Sequence, residues 1–248
     1  MSRTARIESR TGIYHVMQRG ADKQIIFETE RDYIFYLKKL GEYKKEYNIK
    51  LLAYCLMENH LHMLVKTESL ANLSIMMQRL GTSYARHYNE KYFHAGYVFQ
   101  GRFRCEQVES EGYLYTCIRY IHNNPVKAGI SSRDTYKWSS FNDYLMGKGI
   151  TDRDIVMSLV SDINAFVKMS NIKDDTEVMD CDHRRLTTKD GAEYVRSKYG
   201  FECGENSVIK SLIKSERNAI LRDLKDNGYT AKQIERITGV SRAIVYKA

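Results

Sequence analysis

Proline is nearly missing from this chain of 248 residues, which has one, Pro125. Helices and strands elsewhere are therefore free of the ring that removes a backbone donor, and the single proline marks a special place. The five cysteines, Cys55, Cys105, Cys117, Cys181 and Cys203, are odd in number and contain no Cys-x-x-Cys pair. That excludes a disulfide framework and a zinc ribbon as the organising device. No apolar run approaches the roughly 20 residues that cross a bilayer, and the start Met1-Ser2-Arg3-Thr4-Ala5-Arg6 leads into no apolar signal segment. A cytoplasmic protein with no membrane partner is the expectation. Internal repeats and low-complexity tracts are missing as well.

What is present is basic charge. Lys and Arg number 39 against 31 Asp and Glu, a net charge of +8, so the average field favours an anionic partner such as nucleic acid. The length suits two unequal domains.

Periodicity orders the first part. Residues 12–19 alternate as a strand, with Ile13, His15 and Met17 on one face and Tyr14, Val16 and Gln18 on the other. Residues 31–47 read as a helix on the spacing of Ile34, Leu37 and Leu40. Residues 50–57 and 60–66 read as a hairpin closed by Glu58-Asn59, and residues 70–88 as a second helix. Residues 98–108 follow as a fourth strand and residues 111–124 as a third helix, stopped by Pro125. Strand, helix, hairpin, helix, strand predicts an α+β fold, a ferredoxin-like antiparallel sheet with helices on one face, occupying residues 1–147. Residues 148–206 read as a partly helical connector. Residues 207–248 predict an all-helical domain: helix 231–238, a Gly239-Val240 turn, then helix 241–247 capped by Ser241, which is helix-turn-helix spacing. A helical hairpin that only packs would show the same pattern.

The chemistry centres on Met57-Glu58-Asn59-His60-Leu61-His62. In a strand His60 and His62 point to one face, side by side, as strand-borne metal ligands do. In the third helix Tyr120 and Asn124 are four residues apart and share a face. A phenol can be a nucleophile and an amide oxygen a hard-metal ligand. With the two imidazoles they make a three-ligand site beside a nucleophile, compatible with Mg or Mn and suited to phosphoryl chemistry. Most helical tyrosines only pack, and this chain has 19.

Five ordered blocks carry a resemblance: Tyr14-His15-Val16-Met17-Gln18-Arg19-Gly20, Met57 to His62, Phe99-Gln100-Gly101-Arg102-Phe103, Tyr120-Ile121-His122-Asn123-Asn124-Pro125-Val126-Lys127-Ala128-Gly129, and Trp138-Ser139-Ser140. Together they resemble the REP-associated tyrosine transposases, relatives of the single-tyrosine HUH transposases of insertion sequences. The resemblance covers about the first 145 residues, with Glu58 where a proline is common. It implies a DNA-nicking and joining enzyme in which His60, His62 and Asn124 bind a divalent metal and Tyr120 attacks single-stranded DNA, leaving a 5′-phosphotyrosine and a free 3′-hydroxyl. The implied partner is a hairpin-containing single strand. A monomer and a homodimer both remain open.

Further DNA contacts are expected from alternation. Gln100, Arg102 and Arg104 interleave with Phe99, Gly101 and Phe103, so one side of that segment is polar and basic. Arg19 joins them, and Arg242 and Lys247 on the last helix are candidate contacts to duplex DNA. The competing expectation is a sequence-specific DNA-binding regulator with an inert nuclease core.

Overall fold

The apolar runs at the front of the chain pair into one sheet, seen in a computed structural model that describes residues 6–172, 178–179, 188–204, 207–227, 229 and 231–247. The strands are β1 (Ile13–Arg19), β2 (Lys50–Met57), β3 (His60–Lys66) and β4 (Arg104–Gln107). They pair antiparallel in the order β2-β3-β1-β4, the ferredoxin-like order. The β2–β3 hairpin closes through Glu58-Asn59, with Met57 opposite His60. The outer edge of β2 is covered by residues 138–140: the Leu56 N–H donates to the Trp138 carbonyl, and the Ser140 N–H to that of Tyr54, both at 2.9 Å. An edge closed this way offers no open ladder.

The helices of this part are α1 (Glu30–Glu46), α2 (Leu70–Tyr92), α3 (Glu111–Lys127), α4 (Phe141–Met146), α5 (Asp154–Met157) and α6 (Ile163–Asn171). They divide between the two faces of the sheet. Tyr14, Val16, Leu61, Met63 and Val65 pack with Tyr36, Leu40, Met76 and Tyr84 of α1 and α2. Ile13, Ala53, Cys55 and Leu64 pack with Leu114, Ile118 and Ile121 of α3 and with Phe166 of α6. The α+β class and the antiparallel sheet agree with the sequence pattern; α1 and α2 share one face as expected, and α3 and α6 add a layer on the other. The reason is burial: β2 and β3 are covered nearly end to end, so neither face is left to solvent. Residues 154–171, part of the connector in the sequence reading, contribute Val156, Phe166 and Met169 to this second core.

Three local details depart from the periodicity. In α1 the buried stripe is Tyr33, Tyr36, Leu40 and Lys44, while Ile34 is exposed, because tyrosine supplies the apolar surface there. The fourth strand is shorter than 98–108, since Gly101 takes φ +71 and turns the chain before Arg104. And α3 is not stopped by Pro125, which lies inside it. The helix ends at Gly129, φ +67, in a Schellman motif: the Ile130 N–H donates to the Pro125 carbonyl at 2.9 Å and the Gly129 N–H to that of Val126 at 3.0 Å. Proline lacks only its own donor, so two further helical residues follow it.

The chain divides into two compact units, residues 1–181 and 182–248. In the second, α7 (Thr188–Tyr199), α8 (Lys214–Asp226), α9 (Ala231–Thr238) and α10 (Arg242–Lys247) surround Val195, Leu221, Leu224, Ile234, Ile237 and Val245. The helix, turn and helix at 231–247 form as the sequence predicts. The Ser241 carbonyl accepts the Ile244 and Val245 N–H groups at the start of α10.

Candidate functional site

Strand register builds the polar face. Directly opposed residues of antiparallel strands share a face. His62 lies opposite Met17, Met17 opposite Arg104, His60 opposite Arg19, and His15 opposite Glu106. His15, His60, His62, Arg19, Arg104 and Glu106 therefore stand on the α3 side of the sheet. Of the arginines expected to meet DNA, Arg19 and Arg104 belong to this row; Arg102 is exposed in the bend before β4.

His62 and His15 are fully buried, and His15 Nε2 lies 3.0 Å from His62 Nδ1. The His60 ring is 5.2 Å from that of His62, and its Nδ1 is 2.6 Å from Asn59 Oδ1. Burial, then the neighbouring His15, His60 and Lys127, hold the His62 imidazole well below its ordinary pKa. It is a neutral ring, the state in which a histidine can be a ligand. His62 Nε2 is buried without a hydrogen-bond partner. The next groups it could meet belong to α3.

From α3 the Tyr120 ring approaches edge-on, 5.3 Å from His62 and 5.9 Å from His15. Asn124, one turn on, donates from Nδ2 to the Tyr120 carbonyl at 2.9 Å, which leaves its amide oxygen for another partner. Lys127 places its ammonium 4.5 Å from the centre of the Tyr120 ring. Lys127 follows Tyr120 by seven residues and so returns to the same face only because the helix runs on through Pro125. The tyrosine's carbonyl and ring are held from its own helix, and cation and aromatic face attract.

The structure thus brings His60, His62, Tyr120 and Asn124 to one place. Sequence reasoning missed three members of the neighbourhood, His15, Glu106 and Lys127. His15 and Lys127 sit inside the blocks quoted above, but alternation and spacing do not reveal that β1 pairs with β3 in the register that joins His15 to His62. The neighbouring tyrosines of α3, Tyr113 and Tyr115, have hydroxyls engaged elsewhere. The Tyr113 hydroxyl donates to Glu106 Oε2 at 2.9 Å and its pKa is raised by burial; that of Tyr115 is pushed up to about 12 by burial and by its bond to Glu111.

Beside Tyr120 opens a cleft of about 500 Å³, lined in part by Thr116, Arg119, Asn123, Lys127 and Arg133. Three cations on its wall, against Asp134, suit an anionic strand. Arg119 donates to Thr116 Oγ1 at 2.8 Å.

In the second unit Arg242 pairs with Glu235 Oε2 at 2.9 Å and remains half exposed. Tyr246 is exposed on the same helix, and the Lys247 side chain lies outside the described residues. No helix among the described residues is long and apolar enough to cross a membrane.

The family described as IS200-like transposases matches residues 9–124, the span that holds both histidines, Tyr120 and Asn124. Among solved structures, a REP-associated tyrosine transposase bound to a REP hairpin is similar, with 15% identity and a TM-score of 0.51, over 72% of this chain and 95% of that one. A Deinococcus radiodurans protein described as a candidate transposase is 16% identical over 49% of this chain and 97% of its own, with a TM-score of 0.35. No curated protein sequence matches.

Proposed function

We propose that this chain, whose residues 9–124 match the IS200-like transposase family, nicks single-stranded DNA and rejoins it by way of a phosphotyrosine on Tyr120. The observation that carries the reading is the meeting of Tyr120 with a neutral, buried imidazole whose Nε2 has no partner, His62, 5.3 Å ring to ring.

The donor set fits a divalent cation. Two imidazole nitrogens from His60 and His62 and the amide oxygen of Asn124 suit Mg or Mn, and His62 Nε2 is buried with no hydrogen-bond partner. Such an ion, when bound, supplies Lewis-acid polarisation of the phosphate. The chain's own residues do the rest. Asn124 and Lys127 hold Tyr120, and Arg19, Arg104 and the cationic cleft receive the backbone. Attack forms the bond from the tyrosine oxygen to phosphorus and breaks the bond from phosphorus to the 3′ oxygen. The phenolic proton is lost, the 3′ oxygen gains one, and the phosphodiester is conserved for the return step. The hairpin-bound relative supports a hairpin-bearing strand as substrate.

A second reading, a DNA-binding regulator, draws on the turn between α9 and α10 and on Arg242 and Tyr246 of α10 facing solvent. One gel separates the two. Incubated with Mn2+ and a hairpin-bearing single strand, the wild-type protein should form an adduct that survives SDS, and Tyr120→Phe should form none. An adduct that persists in Tyr120→Phe moves the nucleophile elsewhere; no adduct on any strand leaves the regulator.

A further inference from the structure

We infer that His15 is a positioning residue, fixing His62 in the tautomer that carries its proton on Nδ1 and offers a bare Nε2 to the cation, with Glu106 orienting His15 from behind. This rests on the reading of His62 as a ligand.

The pair leaves two choices. A single hydrogen lies between His15 Nε2 and His62 Nδ1, which are 3.0 Å apart. If His15 donated it, His62 would carry its own hydrogen on Nε2, a buried donor with no acceptor. An orphaned donor of that kind is costly. His15 would then also turn the lone pair of Nδ1 toward Glu106 Oε2, which is 4.0 Å away. If His62 donates instead, its Nε2 is bare and His15 turns an Nδ1–H, not a lone pair, toward the carboxylate 4.0 Å away. Either tautomer leaves one buried N–H without a hydrogen bond, at His62 Nε2 or at His15 Nδ1, and the negative charge of Glu106 favours the N–H that faces it.

Glu106 is held for this task. It faces His15 directly across the β1–β4 ladder, and its Oε2 accepts from the Tyr113 hydroxyl at 2.9 Å and from the Met179 N–H at 3.4 Å. Carboxylate, histidine and histidine then follow one another across two strand pairings, with His62 Nε2 at the end that would meet the cation. Orienting partners of this sort typically change metal affinity ten- to a hundredfold when removed.

The test uses the full chain and reads the tautomer and the metal separately from activity. Long-range proton–nitrogen correlation spectra of metal-free protein labelled with 15N-histidine should show His62 protonated on Nδ1. A spectrum showing the proton on Nε2 would overturn the inference without any variant having to fold. In calorimetric titration with Mn2+, His15→Leu should bind about ten- to a hundredfold more weakly than wild type. His15→Gln, whose amide oxygen can accept in place of Nε2, should stay within about threefold of wild type. Equal weakening in the two variants, or no weakening in His15→Leu, would overturn the inference. A wild-type protein that takes up no Mn2+ would instead sink the ligand reading itself.

Discussion

Alternate residues of the same strands build two unlike faces. On the side of α1 and α2, Val16, Leu61, Met63 and Val65 belong to a large cluster of apolar and aromatic side chains. On the side of α3, His15, His62, Tyr120, His122 and Asn124 are buried just as deeply among Leu64, Cys55 and Ile118. Burying an imidazole costs its hydration and forces it neutral, whereas burying a methionine is favourable throughout. Stability therefore resides mainly on one face, and chemistry is concentrated on the other. The sheet lets both exist two residues apart.

The sharpest way to break this contrast is to substitute neighbours on one strand. Met63→Ala should lower the unfolding free energy by about 2 to 5 kcal/mol in urea titration and leave adduct yield per folded molecule unchanged. His62→Ala should abolish the adduct while lowering that free energy by less than about 2 kcal/mol, because an unsatisfied polar ring leaves with the side chain. Equal stability losses, or an adduct from His62→Ala, would erase the distinction.

On the polar face acid should act through His122. His122, its Nε2 2.7 Å from Ser140 Oγ, is held by burial and by Arg133 at a pKa of about 3 against an ordinary 6.5. Between those values the unfolded chain binds a proton that the folded chain refuses. Stability is thus complete above about pH 6.5 and is lost as pH falls toward 3. The thermal midpoint of wild type should decline through this window, and His122→Gln should decline less. A profile that His122→Gln leaves unchanged would assign the acid sensitivity elsewhere.

The smallest effect lies at the end of α3. Gly129→Ala has open space for the added methyl but keeps φ +67, so it should destabilise by about 1 kcal/mol. A gain in stability there would mean that Pro125, not Gly129, terminates the helix.

Much of this was legible in the residues. Alternation located the two strands of the hairpin, and the turn at Glu58-Asn59 set their pairing. The i, i+4 relation of Tyr120 and Asn124 placed both on one side of a helix. Other features were hidden by competing physics. Ile34 looks like a core residue of α1, yet Tyr33 and Tyr36 fill that side, because a tyrosine ring supplies a large apolar surface for burial. Pro125 looks like a helix stop, yet the missing donor is tolerated in a final turn that a glycine then closes.

The family blocks, the two histidines on one strand face and Tyr120 one turn from the Asn124 amide belong to the sequence alone, since each depends on local spacing and backbone period. The partnership of His15 with His62, 47 residues away, and the return of Lys127 over Tyr120 were decided only by tertiary structure. Period assigns a side chain to a face, but register and helix ends, which settle who meets whom on that face, depend on long-range pairing and capping that no local pattern encodes.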